Sequence, residues 1–142
     1  MSLPRLALCL SLLLATAPAH ANEPAAATLD GAWQLQSGEF VDELGRTVDY
    51  ASLDLQGIKV LGDGHFAFTT TQGGRFWAGG SGGFVADAGS YTETPRMASY
   101  PLVEGGRYRF SYTLEGDTWT LERHEDGKRV EREVWRRLTV SP

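Results

Sequence analysis

The chain has 142 residues, with 13 Lys+Arg against 18 Asp+Glu, a formal net charge of −5, one cysteine and 17 glycines. A single cysteine excludes a disulfide scaffold. The acidic balance argues against a nucleic-acid binder, which needs clustered Lys and Arg to neutralise phosphates, and six Phe, five Tyr and four Trp argue against disorder.

Residues 1–21 read as a secretory signal. Arg5 supplies the positive n-region, residues 6–14 the apolar h-region, and Ala19-His20-Ala21 the small-x-small cleavage site. The apolar stretch is shorter than the roughly 20 residues that span a bilayer. Export to the periplasm or the extracellular space is therefore expected, with no integral membrane segment left after cleavage. Arg5 and Cys9 would leave with the leader, making the remainder more acidic and cysteine-free. Residues 22–28, Ala-rich with Pro24, read as a flexible tether. Residues 29–140 read as one domain.

Within that domain, short alternating segments separated by turn signals predict antiparallel β structure. Strands are expected over 31–40, with Trp33 and Leu35 on one face, and over 55–61, with Ile58 and Val60. Gly62-Asp63-Gly64 is a turn, since glycine accepts positive φ without steric cost. A strand follows over 65–71, with Phe66 and Phe68 on one face. Residues 75–78 and 82–85 read as two short strands flanking a glycine cluster. The next strand, 90–97, should end at Pro95 or soon after, and 100–106 reads as a loop. The last third is the clearest. Residues 107–114 alternate strictly, with Tyr108, Phe110, Tyr112 and Leu114 on one face; 118–124 carries Trp119 and Leu121; 128–138 is a long final strand. Eight to ten consecutive strands prefer to close, because closure removes exposed edges. The fold class expected is an all-β, antiparallel up-and-down barrel, with an open sandwich as the alternative.

Four segments carry a resemblance. They are Leu29-Asp30-Gly31-Ala32-Trp33 at the start of the domain and Glu133-Val134-Trp135-Arg136-Arg137 at its end. Between them lie Ile58-Lys59-Val60 followed by His65-Phe66-Ala67-Phe68, and the glycine run 78–84 followed by Ser90-Tyr91-Thr92-Glu93. In this order they resemble the small bacterial lipocalin-like domain, a relative of the calycins. Ser81 interrupts the glycine run, and Phe84 stands where that family more often has Thr-Tyr. The resemblance implies a lipocalin-like barrel around a small apolar cavity and implies little about function.

An eight-stranded barrel is just wide enough to hold one small ligand or to be filled by side chains. One end must be plugged, and a Trp on the first strand under a guanidinium from the last strand can do this, a contact worth about 0.5–2 kcal/mol. Trp33 is paired here with Arg136 or Arg137, and strand parity does not choose; Trp135 joins them in barrel closure. The candidate ligand-binding residues are Phe66, Phe68, Phe76 (or its neighbour Trp77), Tyr91, Phe110, Tyr112 and Trp119, with Glu93 as a polar anchor. A filled core without a cavity competes with that reading. Glu93 and Glu133 share faces with inward candidates, so each would need a partner if buried; Arg75, Arg96 or Arg137 could supply one. The competing reading is a solvated outer face or a barrel-closing salt bridge. The glycine cluster lacks the Gly-Lys-Ser/Thr ending and following helix of a phosphate loop, and reads as wall bending. His65 and His124 sit beside turns and suggest surface positions. No metal or other cofactor is expected. The mixed charges of 124–137 read as a salt-bridged exposed strand, of the kind that guards an edge against aggregation. The function expected is binding of a small hydrophobic or amphipathic molecule. A solid-core envelope interaction module is the first alternative. The second is an enzyme using Glu93 or Glu133 as acid or base, whose mark would be a carboxylate titrating well above about 4.3.

Overall fold

The computed structural model describes residues 29–139; the leader and the tether lie outside them. Nine strands run in chain order: β1 (Gly31–Val41), β2 (Thr47–Asp49), β3 (Leu55–Gly62), β4 (His65–Gln72), β5 (Arg75–Asp87), β6 (Ser90–Ala98), β7 (Tyr108–Glu115), β8 (Thr118–Glu125) and β9 (Lys128–Leu138). A one-turn 3-10 helix, Tyr50–Leu53, links β2 to β3. Every neighbouring pair is antiparallel, and β1 also pairs with β9 from Ala32↔Leu138 to Phe40↔Glu131. Eight strands therefore close an up-and-down barrel, and β2 attaches to the far end of β1.

Tight turns set the register. Asp63-Gly64, Gly73-Gly74 and Asp126-Gly127 each hold two successive positive φ angles, the twist that joins antiparallel strands. The Asp63-Gly64 turn pairs Gly62 with His65, which places Leu61 opposite Phe66 and Lys59 opposite Phe68. Directly opposed residues share a face. Leu55, Gly57, Lys59 and Leu61 thus point inward, while Ile58 and Val60, the apolar pair expected to mark this strand, lie exposed on the outside.

The glycine cluster does not separate two strands. β5 runs through it as one 13-residue strand, and Pro95 does not end β6, which continues to Ala98. One bulge explains both. The register shifts between Ser81 and Gly82 opposite Pro95, and a bulge is where a sheet tolerates proline. A Cβ on Gly82 would lie 2.2 Å from the Thr94 carbonyl oxygen, so only glycine fits. Nor is β9 an edge: it pairs with β8 and β1 along its length. Its charges outside the barrel join cross-strand ion pairs, such as Arg129 with Glu39 and Glu122.

The core lies at the end where β1 begins. Leu29, Trp33, Tyr91, Trp119 and Leu121 are fully buried, with Leu61, Phe66, Phe84 and Phe110 nearly so. Trp33 packs 5.3 Å from Trp119, and Tyr91 meets Trp119 edge-on at 5.0 Å. Parity resolves the plug: Arg137 lies over Trp33, 4.2 Å from ring centre to guanidinium carbon, while Arg136 is exposed. Arg137 also donates to the Asp30 carbonyl at 2.6 Å, and Trp33 Nε1 donates to the Leu29 carbonyl at 2.9 Å. This end is sealed by rings, a stacked cation and satisfied backbone.

Candidate functional site

The other half of the barrel is not filled. A cavity of about 310 Å³ is lined by Leu35, Tyr50, Lys59, Phe68, Trp77, Glu93, Tyr100, Tyr108, Phe110, Glu131, Glu133 and Trp135, with Leu55, Thr70 and Ala78 between them. Inward glycines make room for its rings. A Cβ on Gly38 would meet the Tyr50 ring at 2.5 Å, and one on Gly80 would meet Phe68 at 3.0 Å. The ladder between β6 and β7 is short, covering only residues 90–93 against 108–111. The loop that follows β6 brings Tyr100 to the cavity, where its ring stacks 6.5 Å from Phe68.

The floor is a buried ion pair. Lys59 Nζ donates to Glu93 Oε1 at 2.7 Å, and Tyr91 Oη donates to the same oxygen at 2.8 Å. Lys59 and Glu93 are 5% and 6% exposed. The ammonium also lies 5.2–5.9 Å from the ring centres of Trp135, Trp119, Tyr91 and Phe68, within the range of cation–π attraction. Burial by itself would push the Lys59 ammonium down. Glu93, with help from Glu133 and Glu131, reverses this and holds it above the ordinary lysine value. Burial and the neighbouring Glu93 push the Tyr91 hydroxyl up, so it stays a neutral donor.

Glu133 is placed differently. Its carboxylate accepts from Tyr50 Oη at 3.1 Å and from Trp135 Nε1 at 2.9 Å, two uncharged donors. Protein surrounds it, yet part of its surface faces the cavity. Burial raises its pKa, Lys59 pulls it back, and Glu131 and Glu93 add to the rise, leaving it at about 7. Glu131 nearby is held by Arg123, Nε to Oε2, at 2.8 Å.

Of the residues expected to line a ligand site, Phe68, Phe110 and Glu93 do line the cavity. Phe66, Tyr91 and Trp119 lie in the packed core beneath it, and Tyr112 packs against that core. Phe76 does not face the interior and is 63% exposed. The register shifts between Thr70 and Thr71, pairing Thr70 with Ala78 and Thr71 with Phe76. Trp77 is the extra residue of this bulge and lines the cavity, while Phe76 is turned outward. Trp135 has a double role, supporting the barrel and lining the cavity. Glu93 and Glu133 both face inward. The partner of Glu93 is none of the arginines expected but Lys59, which the sequence reading passed over. The signal was available: the Asp63-Gly64 turn sets Lys59 opposite Phe68. Nothing local announces Tyr50, which reaches Glu133 across 83 residues.

The fold and site define a closed antiparallel barrel, sealed at one end, with an aromatic cavity and interior carboxylates at the other. No protein-family model matches the chain, and no curated protein matches it. Among the described residues no helix is long and apolar enough to cross a membrane, and no group of three or more His, Cys, Asp or Glu is arranged to hold a metal ion.

Proposed function

We propose that this protein is an exported, lipocalin-like binding protein that holds a small amphipathic molecule in the barrel cavity. The observation that carries this reading is the contrast inside one barrel: one end is packed to its centre, while the other keeps about 310 Å³ lined by rings. That volume is at the small end of the about 300–1,000 Å³ typical of ligand pockets. Close packing is the default in protein interiors, and apolar walls left bare forgo about 25 cal/mol per Å² until something covers them. The interior carboxylates would orient the polar end of the guest.

The test is native mass spectrometry of protein from the exported fraction, before and after denaturation. An additional mass of a few hundred daltons, lost on unfolding, is the expected result, and Phe110→Ala should weaken its retention. A clean mass, together with failure to bind a panel of fatty acids and aromatic dyes, would overturn the proposal. The solid-core module is the weaker reading, since the barrel keeps a cavity and, among the described residues, only short β2 offers an edge. One observation favours the enzymatic reading: Glu133, at about 7, is poised to carry a proton at neutral pH. It would predict turnover abolished by Glu133→Gln, with binding retained.

A further inference from the structure

The cavity's polar groups are unevenly matched. Lys59 is bonded to Glu93 and enclosed by four rings, and Glu131 is already paired with Arg123, which does not itself line the cavity. Both bonds to Glu93 fall on Oε1, so Oε2 has no hydrogen-bond partner among the described residues. Glu133 faces the cavity with neutral donors alone. The one cation among the lining residues is committed, and what remains for a guest is carboxylate oxygen, hydroxyls and ring faces. The protein already holds one ammonium in such surroundings, that of Lys59.

We propose that the guest is an amphipathic amine, its ammonium placed between Glu133 and the Oε2 side of Glu93 and its apolar body against Phe68, Trp77, Tyr100 and Tyr108. This rests on the binding function proposed above and specifies its ligand class. A carboxylic acid would meet Glu93, Glu131 and Glu133 with no uncommitted cation to receive it. A neutral guest would gain the rings but leave the charge of Glu133 unanswered. Charge-assisted hydrogen bonds are roughly twice as strong as neutral ones.

The groups facing Glu133 are Tyr50, Lys59 on β3, Glu93 and Tyr91 on β6, and Glu131 and Trp135 on β9, with Arg123 on β8 bound to Glu131. Lys59 and Arg123 are paired and stay charged. Glu133 is the group that changes near neutrality, so an ammonium beside it favours its ionised form and releases a proton. Amine binding should strengthen as the pH rises through about 7.

The test uses three probes with one indole body: tryptamine, 3-ethylindole and indole-3-propionate. Each is titrated calorimetrically into the protein near pH 8 and again near pH 5.5. Tryptamine is expected to bind about tenfold more tightly than 3-ethylindole at the higher pH, with indole-3-propionate weakest. The advantage should shrink severalfold at the lower pH. Glu133→Gln, which keeps an acceptor for Tyr50 or Trp135, should remove most of the advantage of tryptamine over 3-ethylindole. Binding of 3-ethylindole or indole-3-propionate as tight as that of tryptamine would overturn the amine assignment and leave the binding function standing. Failure of all three would also overturn the assignment, and the fatty-acid and dye panel would then decide the broader reading. The three-probe comparison needs no variant, so an unfolded Glu133→Gln protein would not rescue the proposal.

Discussion

The two halves of the barrel are built from similar residues and end in opposite states. At the sealed end Trp119 packs against both Trp33 and Tyr91, and all three are fully buried. At the open end Phe68, Trp77, Tyr100 and Trp135 line space. The difference lies in what accompanies the rings. The sealed end has Leu29, Leu61 and Leu121 to fill the gaps, with Arg137 stacked over the plug. The open end has Glu131 and Glu133, which cannot pack as hydrocarbon, and a glycine at position 57 where a side chain would crowd Thr70. Lys59 and Glu93 form the boundary. Aromatic content alone therefore does not predict a cavity; small and charged neighbours decide whether rings close together.

The strongest way to break this contrast is to open the sealed end. Trp33→Ala should cost about 4 kcal/mol, as expected for truncating a fully buried large ring, read by urea denaturation. If the loss is under about 1 kcal/mol, the plug is not the structural anchor. The next largest effect should come at the boundary. Lys59→Met strands Glu93 and should cost about 3 kcal/mol. Adding Glu93→Gln should recover at least half of it, because the uncompensated charge is gone. A double variant no more stable than the single one would show that the ring contacts of the ammonium, not its charge partner, hold the floor.

At the open end the expected effect is a pH dependence. Glu133 binds its proton more tightly folded, at about 7, than unfolded, near 4.5. Its contribution to stability is fully present below the unfolded value and is lost as pH rises through the folded one. Between pH 5 and 8 the unfolding free energy should fall by about 2 kcal/mol from this group, and Glu133→Gln should flatten that slope in urea titrations. The smallest effect belongs to the bulge. Phe76→Ala should change stability by under about 0.5 kcal/mol and leave binding intact. Trp77→Ala should weaken guest binding severalfold at similar stability, measured by the same calorimetry. Equal behaviour of the two variants would mean that the bulge does not sort them.

Much of this was legible in the chain. Alternation over 107–114, glycine turns and the Gly-x-Trp start pointed to an up-and-down barrel ahead of an open sandwich, and both acids could be named because they share a face with Tyr91 and Trp135. The bulges were not legible. A one-residue insertion reverses which side chains face inward, and that is why Phe76 and Trp77 could not be separated from sequence. Lys59 was missed because apolar residues on both sides of it suggested the opposite parity, although the adjacent turn set its register.

Local chemistry thus determined most of the strands and their tight turns, since each depends on neighbours in sequence or on strict alternation; the closed barrel chose Arg137 over Arg136 as the partner of Trp33. Only the tertiary structure decided that one half of the barrel stays open. That outcome depends on which residues meet across the interior: Lys59 with Glu93, Tyr50 with Glu133, rings against glycines. Such meetings join positions tens of residues apart, and their energies arise from burial, which no stretch of chain possesses until the barrel closes.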